Sequence, residues 1–177
     1  MWGSLRPPIF MIYHGLIDKK DWGEGPWMAE PDFAIWEPPS PKMICVLSRA
    51  DMGHLCGYAG IPVANMNDLK RSLLTDTIIN NHFPVHGGVT FNGSGNNVRT
   101  PEDADVDWIK SYFFQGFDCA HMGDLSFMFS RAMVDYLPYL PERLDKLRPV
   151  YRDWDYCKSQ CEFLASHIYS CGRSYLG

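Results

Sequence analysis

Two short stretches of the sequence concentrate the side chains best able to do chemistry. GFDCAHMGD (116–124) places Asp118, His121 and Asp124 at intervals of three, directly after a predicted strand. A tight turn at that point aims all three side chains into one pocket. VHGG (85–88) adds His86 from a neighbouring predicted strand. Two imidazoles and two carboxylates are sufficient to hold Zn²⁺, Mn²⁺ or Fe²⁺. His86, Asp118, His121 and Asp124 are therefore the candidate metal set. The same groups suit general acid–base work, a carboxylate orienting a histidine. They also suit a plain polar network tying down loop amides. Cys119 is expected to point away from Asp118, so no nucleophile stands out.

Two further motifs bear on ligand binding. In WGEGPWMAEPD (22–32), Trp22 and Trp27 flank a Gly-Glu-Gly-Pro turn, with Glu30 and Asp32 after it. Indole faces on a rigid turn can stack on a flat ligand. They can equally strap the segment onto the core while the carboxylates stay solvated. GHLCGYAGIP (53–62) lacks the order of a dinucleotide fingerprint and the Gly-Lys-Ser/Thr of a P-loop, so its glycines read as a strand bend. Cys157, Cys161, His167 and Cys171 match no common structural zinc spacing.

The elements that must position these groups form one domain, 1–177. Residues 1–42 are a Trp- and Pro-rich ordered arm whose prolines exclude a long helix or a central strand. Residues 43–124 read as sheet. MICVLSR (43–49) and HLCGYAGIP (54–62) form a hairpin, and FPVHGGVTF (83–91) and WIKSYFFQGFD (108–118) are strands. Residues 65–79 have the pattern of a short helix, and 92–105 that of a loop. Residues 125–171 read as helical. In the last segment Trp154, Cys157, Cys161, Leu164, Ala165 and Ile168 recur at spacings of three and four. Asp153 or Asp155 is the cap, and Gly172 the stop. The fold class is α+β, a small, mainly antiparallel sheet packed against a long C-terminal helix.

Composition narrows the partners. With 177 residues, 46% of them hydrophobic, the chain can bury about 70% of its surface in a single core. No apolar run reaches the ~20 residues of a membrane span. Sixteen basic against 21 acidic residues give a net charge of −5, with Lys and Arg scattered singly apart from Arg143, Lys146 and Arg148. That argues against duplex nucleic acid, whose binders present a basic face. The amino terminus lacks a signal-peptide pattern and the six cysteines read as reduced, so a cytoplasmic location is expected.

The order WGEGPWMAEPD, LCGYAGIP, VHGGVTF, FFQGFDCAHMGD and YCKSQCEFLASHI resembles an uncharacterised bacteriophage-encoded protein family, over most of residues 14–171. The resemblance implies an accessory protein in the bacterial host cytoplasm and implies no reaction. By analogy with phage proteins that sequester signalling nucleotides, the leading expectation is capture of a small anionic or nucleotide-like ligand, without chemistry and without a cofactor. Trp22 or Trp27 stacks on its planar part. Arg49, Arg99 and the backbone at Gly87 and Gly88 meet phosphate oxygens. His86, His121 and Asp118 fix polar edges. The alternatives are a hydrolase using Zn²⁺ or another divalent metal on the His/Asp set, and an inhibitor docking onto a host enzyme. A homo-oligomer stays open.

Overall fold

A computed structural model describes residues 10–65, 83–102, 104–127 and 149–176. The expected helices at 65–79 and 125–137 and the Arg143–Arg148 cluster lie outside these, apart from the ends of the two helical stretches. Six strands form one sheet: β1 (Phe10–Tyr13), β2 (Phe33–Trp36), β3 (Ile44–Arg49), β4 (Leu55–Pro62), β5 (Phe91–Ser94) and β6 (Tyr112–Asp118). Their order is β1-β2-β3-β4-β6-β5, and every pairing is antiparallel. One long helix, α1 (Trp154–Leu176), lies against this sheet. The α+β class read from the sequence is the observed one. No helix among the described residues is long and apolar enough to cross a membrane.

Both faces of the sheet are covered, and strand alternation divides the core in two. Ala34, Trp36, Cys45, Leu47, Ala59 and Phe117 meet Cys157, Cys161, Leu164, Ala165 and Ile168 of α1. Phe33, Ile35, Ile44, Val46 and Phe114 face the other way, onto Val98, Val106 and Ile109. With neighbours on each side, β2 and β3 are buried along their whole length. That explains why their sequences read as continuous apolar runs rather than alternating ones. At the centre of the helix-facing side, a Cβ on Gly57 would sit 2.6 Å from Cys161 Sγ. Only a glycine lets the helix come this close.

The hairpin of β3 and β4 is in register from Ile44↔Gly60 to Arg49↔Leu55, as the sequence indicates. The α1 stripe and its cap also hold. Asp153 Oδ1 accepts the Tyr156 N–H at 2.8 Å, which is N-cap geometry. The helix does not stop at Gly172 but runs on to Leu176.

Other boundaries differ from the sequence reading. The Pro-rich arm supplies an inner strand after all. Pro31 and Pro38 bracket Phe33–Trp36 without entering it, so β2 keeps every N–H its two neighbours need. Residues 83–88 are not a strand. Pro84 lacks a donor, and Gly87 and Gly88 sit at φ +66° and +85°, which turns the chain. Residues 92–94, expected in a loop, pair with β6, backbone bonding overriding their turn-forming composition. β6 begins only at Tyr112, because 107–111 coils into a 3₁₀ turn that buries Ile109.

One polar cluster lies within this core. Arg49 is 1% exposed, at the end of β3. Its Nε donates to Asp32, one terminal nitrogen to the Gly53 carbonyl and the Tyr151 hydroxyl, and the other to Glu30 and the Pro31 carbonyl. All five donors are used. Lys19, also buried, gives its three to Asp32 (2.6 Å) and to the Trp27 and Glu30 carbonyls. Glu30 in turn accepts the Trp154 N–H at the start of α1 and the Tyr151 hydroxyl. Removing one member of such a cluster leaves an uncompensated buried charge. Arg49→Met is expected to cost about 3–5 kcal/mol. Urea denaturation of variant and parent measures it.

Candidate metal centre

Three of the four predicted ligands converge. One ligand atom from each of His86, His121 and Asp124 lies within 4.8 Å of the other two. Each residue arrives on a short, tightly constrained segment. His86 sits on the 83–88 turn, its backbone N–H bound to Gln160 of α1 at 3.0 Å. His121 and Asp124 belong to the turn leaving β6, closed by the Asp124 N–H on the His121 carbonyl. A bridge from Asp124 to Val150 then anchors that turn beside the approach to α1. A Cβ on Gly87 would strike the His121 ring at 2.0 Å, so that glycine gives His121 its place as well as shaping the turn.

Asp124 is the centre of the arrangement, with its side chain 2% exposed. Its Oδ2 contacts His86 Nε2 at 2.6 Å and accepts the His121 backbone N–H at 3.1 Å. Its Oδ1 accepts from Arg152 Nε at 2.9 Å. Burial by itself would raise the Asp124 carboxyl. The bonds from His86 and Arg152 outweigh it and hold the group below its ordinary value of 3.8. The other ring nitrogen of His86, Nδ1, meets the Tyr156 hydroxyl at 3.0 Å. His121 Nδ1 is 3.7 Å from Asp124 and 3.8 Å from Asp118, and among the described residues no hydrogen bond reaches it. It is a buried nitrogen within 4 Å of two carboxylates.

Asp118 stands one step outside the trio. Its oxygens accept from the Thr90 hydroxyl and the Ala120 N–H, and a third of its side chain is exposed. The expected four-ligand set is therefore three close residues with a carboxylate beside them. His54 Nδ1 is also buried without a partner. Burial lowers its imidazole against the opposing charges of Asp118 and Asp124. Sequence reasoning missed His54, Arg152, Tyr156 and Gln160. The last three lie just before or within the first turns of α1, and only the fold brings them to the turns of His86 and Asp124.

The residues expected to hold a nucleotide-like ligand are placed differently. Trp22 stacks flat on Phe127, with centroids 4.4 Å apart, and Trp27 meets Phe127 and Tyr151 edge-on. Glu30 and Asp32, expected either to join a ligand clamp or to stay solvated, are instead the counter-charges of Arg49. With five internal partners, Arg49 has no N–H left for a phosphate. The Gly88 N–H closes its own turn onto the Val85 carbonyl. Arg99 is exposed and paired with Asp51. Arg49 and Arg99 do share one groove of about 440 Å³, with Gly15–Ile17, Ser48 and Thr100 among its walls. Cys157 and Cys161 lie inside the core as expected of reduced thiols, with Cys157 Sγ against Cys119 Sγ at 3.4 Å.

The two turn residues are expected to respond differently to truncation. His121→Ala, removing a partly exposed ring, lowers stability by no more than about 1–2 kcal/mol. Asp124→Asn costs more and changes the acid limb of stability. Because the folded Asp124 carboxyl titrates below 3.8, its contribution is complete above that pH and disappears as pH falls through the depressed value. Urea melts between pH 2.5 and 7 should show a shallower acid loss in Asp124→Asn than in the parent. No protein-family model, curated protein or solved structure matches the chain, so the role of this centre is read from its own geometry.

Proposed function

We propose that the protein is a divalent-metal-dependent hydrolase, its ion held by His86, His121 and Asp124. The observation that carries this reading is the convergence of the three ligand atoms, together with a buried His121 nitrogen that lacks any hydrogen bond among the described residues. Two imidazoles and one carboxylate match three-ligand catalytic centres, which keep a position open for water. The His121 side chain is partly exposed, which would leave water a route to the ion.

The surroundings fit an ion as well. A ligating histidine needs its second nitrogen bonded, and Tyr156 bonds Nδ1 of His86. When Nε2 takes the metal, the ring proton resides on Nδ1 and the tyrosine oxygen accepts it. When the metal is absent, Nε2–H donates to Asp124 and the hydroxyl donates to Nδ1. Tyrosine serves both states because it donates and accepts. Arg152 orients Asp124 from its far oxygen.

An ion there lowers the pKa of bound water toward 7. Asp118, whose carboxylate lies 3.8 Å from His121 Nδ1, would be the base nearest to hand for that water's proton. The ion would thereby supply a hydroxide able to add to an ester-type centre, the bond to the leaving oxygen breaking and that oxygen taking the proton back from Asp118. The test is calorimetric titration of chelator-treated protein with Zn²⁺ and Mn²⁺. One ion per chain is expected, His121→Ala losing it and Tyr156→Phe weakening it about 10–100-fold. A parent protein that takes up neither ion overturns the reading.

The shared groove favours a second reading, capture of a nucleotide-like ligand against the exposed Arg99 guanidinium, the role that the phage-family resemblance suggests. A thermal-shift panel of cyclic nucleotides tests it. A ligand at a hundred times its Kd stabilises by about 2.7 kcal/mol, and Arg99→Ala should abolish that gain.

A further inference from the structure

From the surroundings of Asp124 we infer that the metal centre acts on phosphate esters, with Arg152 holding one oxygen of the phosphoryl group while the ion holds another. The inference rests on the metal reading above.

The geometry is built around one carboxylate. Asp124 Oδ2 faces the nitrogens that would share the ion, and Asp124 Oδ1 holds Arg152 Nε at 2.9 Å. Guanidinium and ion therefore flank a single carboxylate, one on each oxygen. The two terminal nitrogens of Arg152 have no hydrogen-bond partner among the described residues, and about a third of the side chain is exposed. The guanidinium also lies over the Tyr156 ring, 5.2 Å from its centroid, which fixes its plane. A planar, fixed guanidinium with its terminal fork unused is suited to bidentate recognition of a phosphate.

Charge points the same way. A divalent ion and Arg152 carry three positive charges against the two negative charges of Asp118 and Asp124. The histidines act as neutral ligands. The loaded centre is then net cationic at a surface of a chain that is acidic overall. An anionic substrate is drawn to that point, and a metal ion next to a guanidinium stabilises charge developing on a transferred phosphoryl group.

Inorganic phosphate is the probe. Protein loaded with Zn²⁺ or Mn²⁺, its uptake measured first, is titrated with phosphate and separately with acetate, beside metal-free protein. Phosphate is expected to bind the loaded parent at least tenfold more tightly than metal-free protein, and more tightly than acetate. Arg152→Gln should lose that tenfold, and Arg152→Lys, which keeps the charge but not the fork, should fall between. If Arg152→Gln does not fold by circular dichroism, the lysine variant carries the comparison. Metal uptake without phosphate binding, equal binding of phosphate by parent and variants, or acetate binding as tight as phosphate overturns this inference and leaves the metal reading intact. Failure to take up metal overturns both.

Discussion

The buried charges of Lys19, Asp32 and Arg49, with the partly buried Glu30 beside them, are the constraint on which the remaining structure depends. Charges of both signs at such depth are tolerable only if every donor is matched, because an unpaired buried charge costs several kcal/mol. The matching draws on distant parts of the chain. Asp32 and Glu30 come from the segment entering β2, Arg49 from the end of β3, Gly53 from the hairpin turn and Tyr151 from the approach to α1. Burial raises the Tyr151 phenol, so it stays neutral and can accept from Arg49 while donating to Glu30. Four pieces of chain meet at one guanidinium.

The consequence reaches the His/Asp centre through four consecutive residues. Tyr151 is bound to the ion cluster, Arg152 to Asp124, Asp153 caps α1, and the Trp154 N–H returns to Glu30. Successive residues of one segment thus serve two polar centres. Val150, just before, bridges to Asp124 itself. The position of Asp124 follows from the same contacts that neutralise Arg49. An aromatic cluster of Trp22, Trp27, Phe127 and Tyr151 covers the ion cluster, and Trp22 also faces the Arg49 guanidinium at 6.0 Å.

The sequence made some of this legible and hid the rest for definable reasons. The β3–β4 hairpin and the α1 stripe follow from local pattern, and local pattern is what built them. The meeting of His86, His121 and Asp124 was legible because two of them share one turn and the third lies beside glycines. Arg49 was misleading. A cation ending an apolar strand looks like a ligand contact unless its counter-charges are recognised, and those lie 17 and 19 residues upstream across a turn. Arg152, Tyr156 and Gln160 carry no local signal at all. A polar residue at the start of an amphipathic helix looks solvent-facing until the fold sets a turn against it. The arm's prolines were read as excluding an inner strand because their number was weighed more than their positions.

The contact between Gly57 and Cys161 has a consequence away from the core. The gap between sheet and helix at that point has room for a sulfur atom and no more. Gln160 neighbours Cys161 on the helix, and Tyr156 lies just over a turn earlier. Both reach across to His86. The atom count at positions 57 and 161 thus sets the height at which the helix rides, and with it the reach of the two side chains that hold the imidazole. An apolar pair bearing no charge and touching no ligand works as a shim beneath the centre. Changing its thickness by one methyl group would retune the histidine while leaving every polar residue in place.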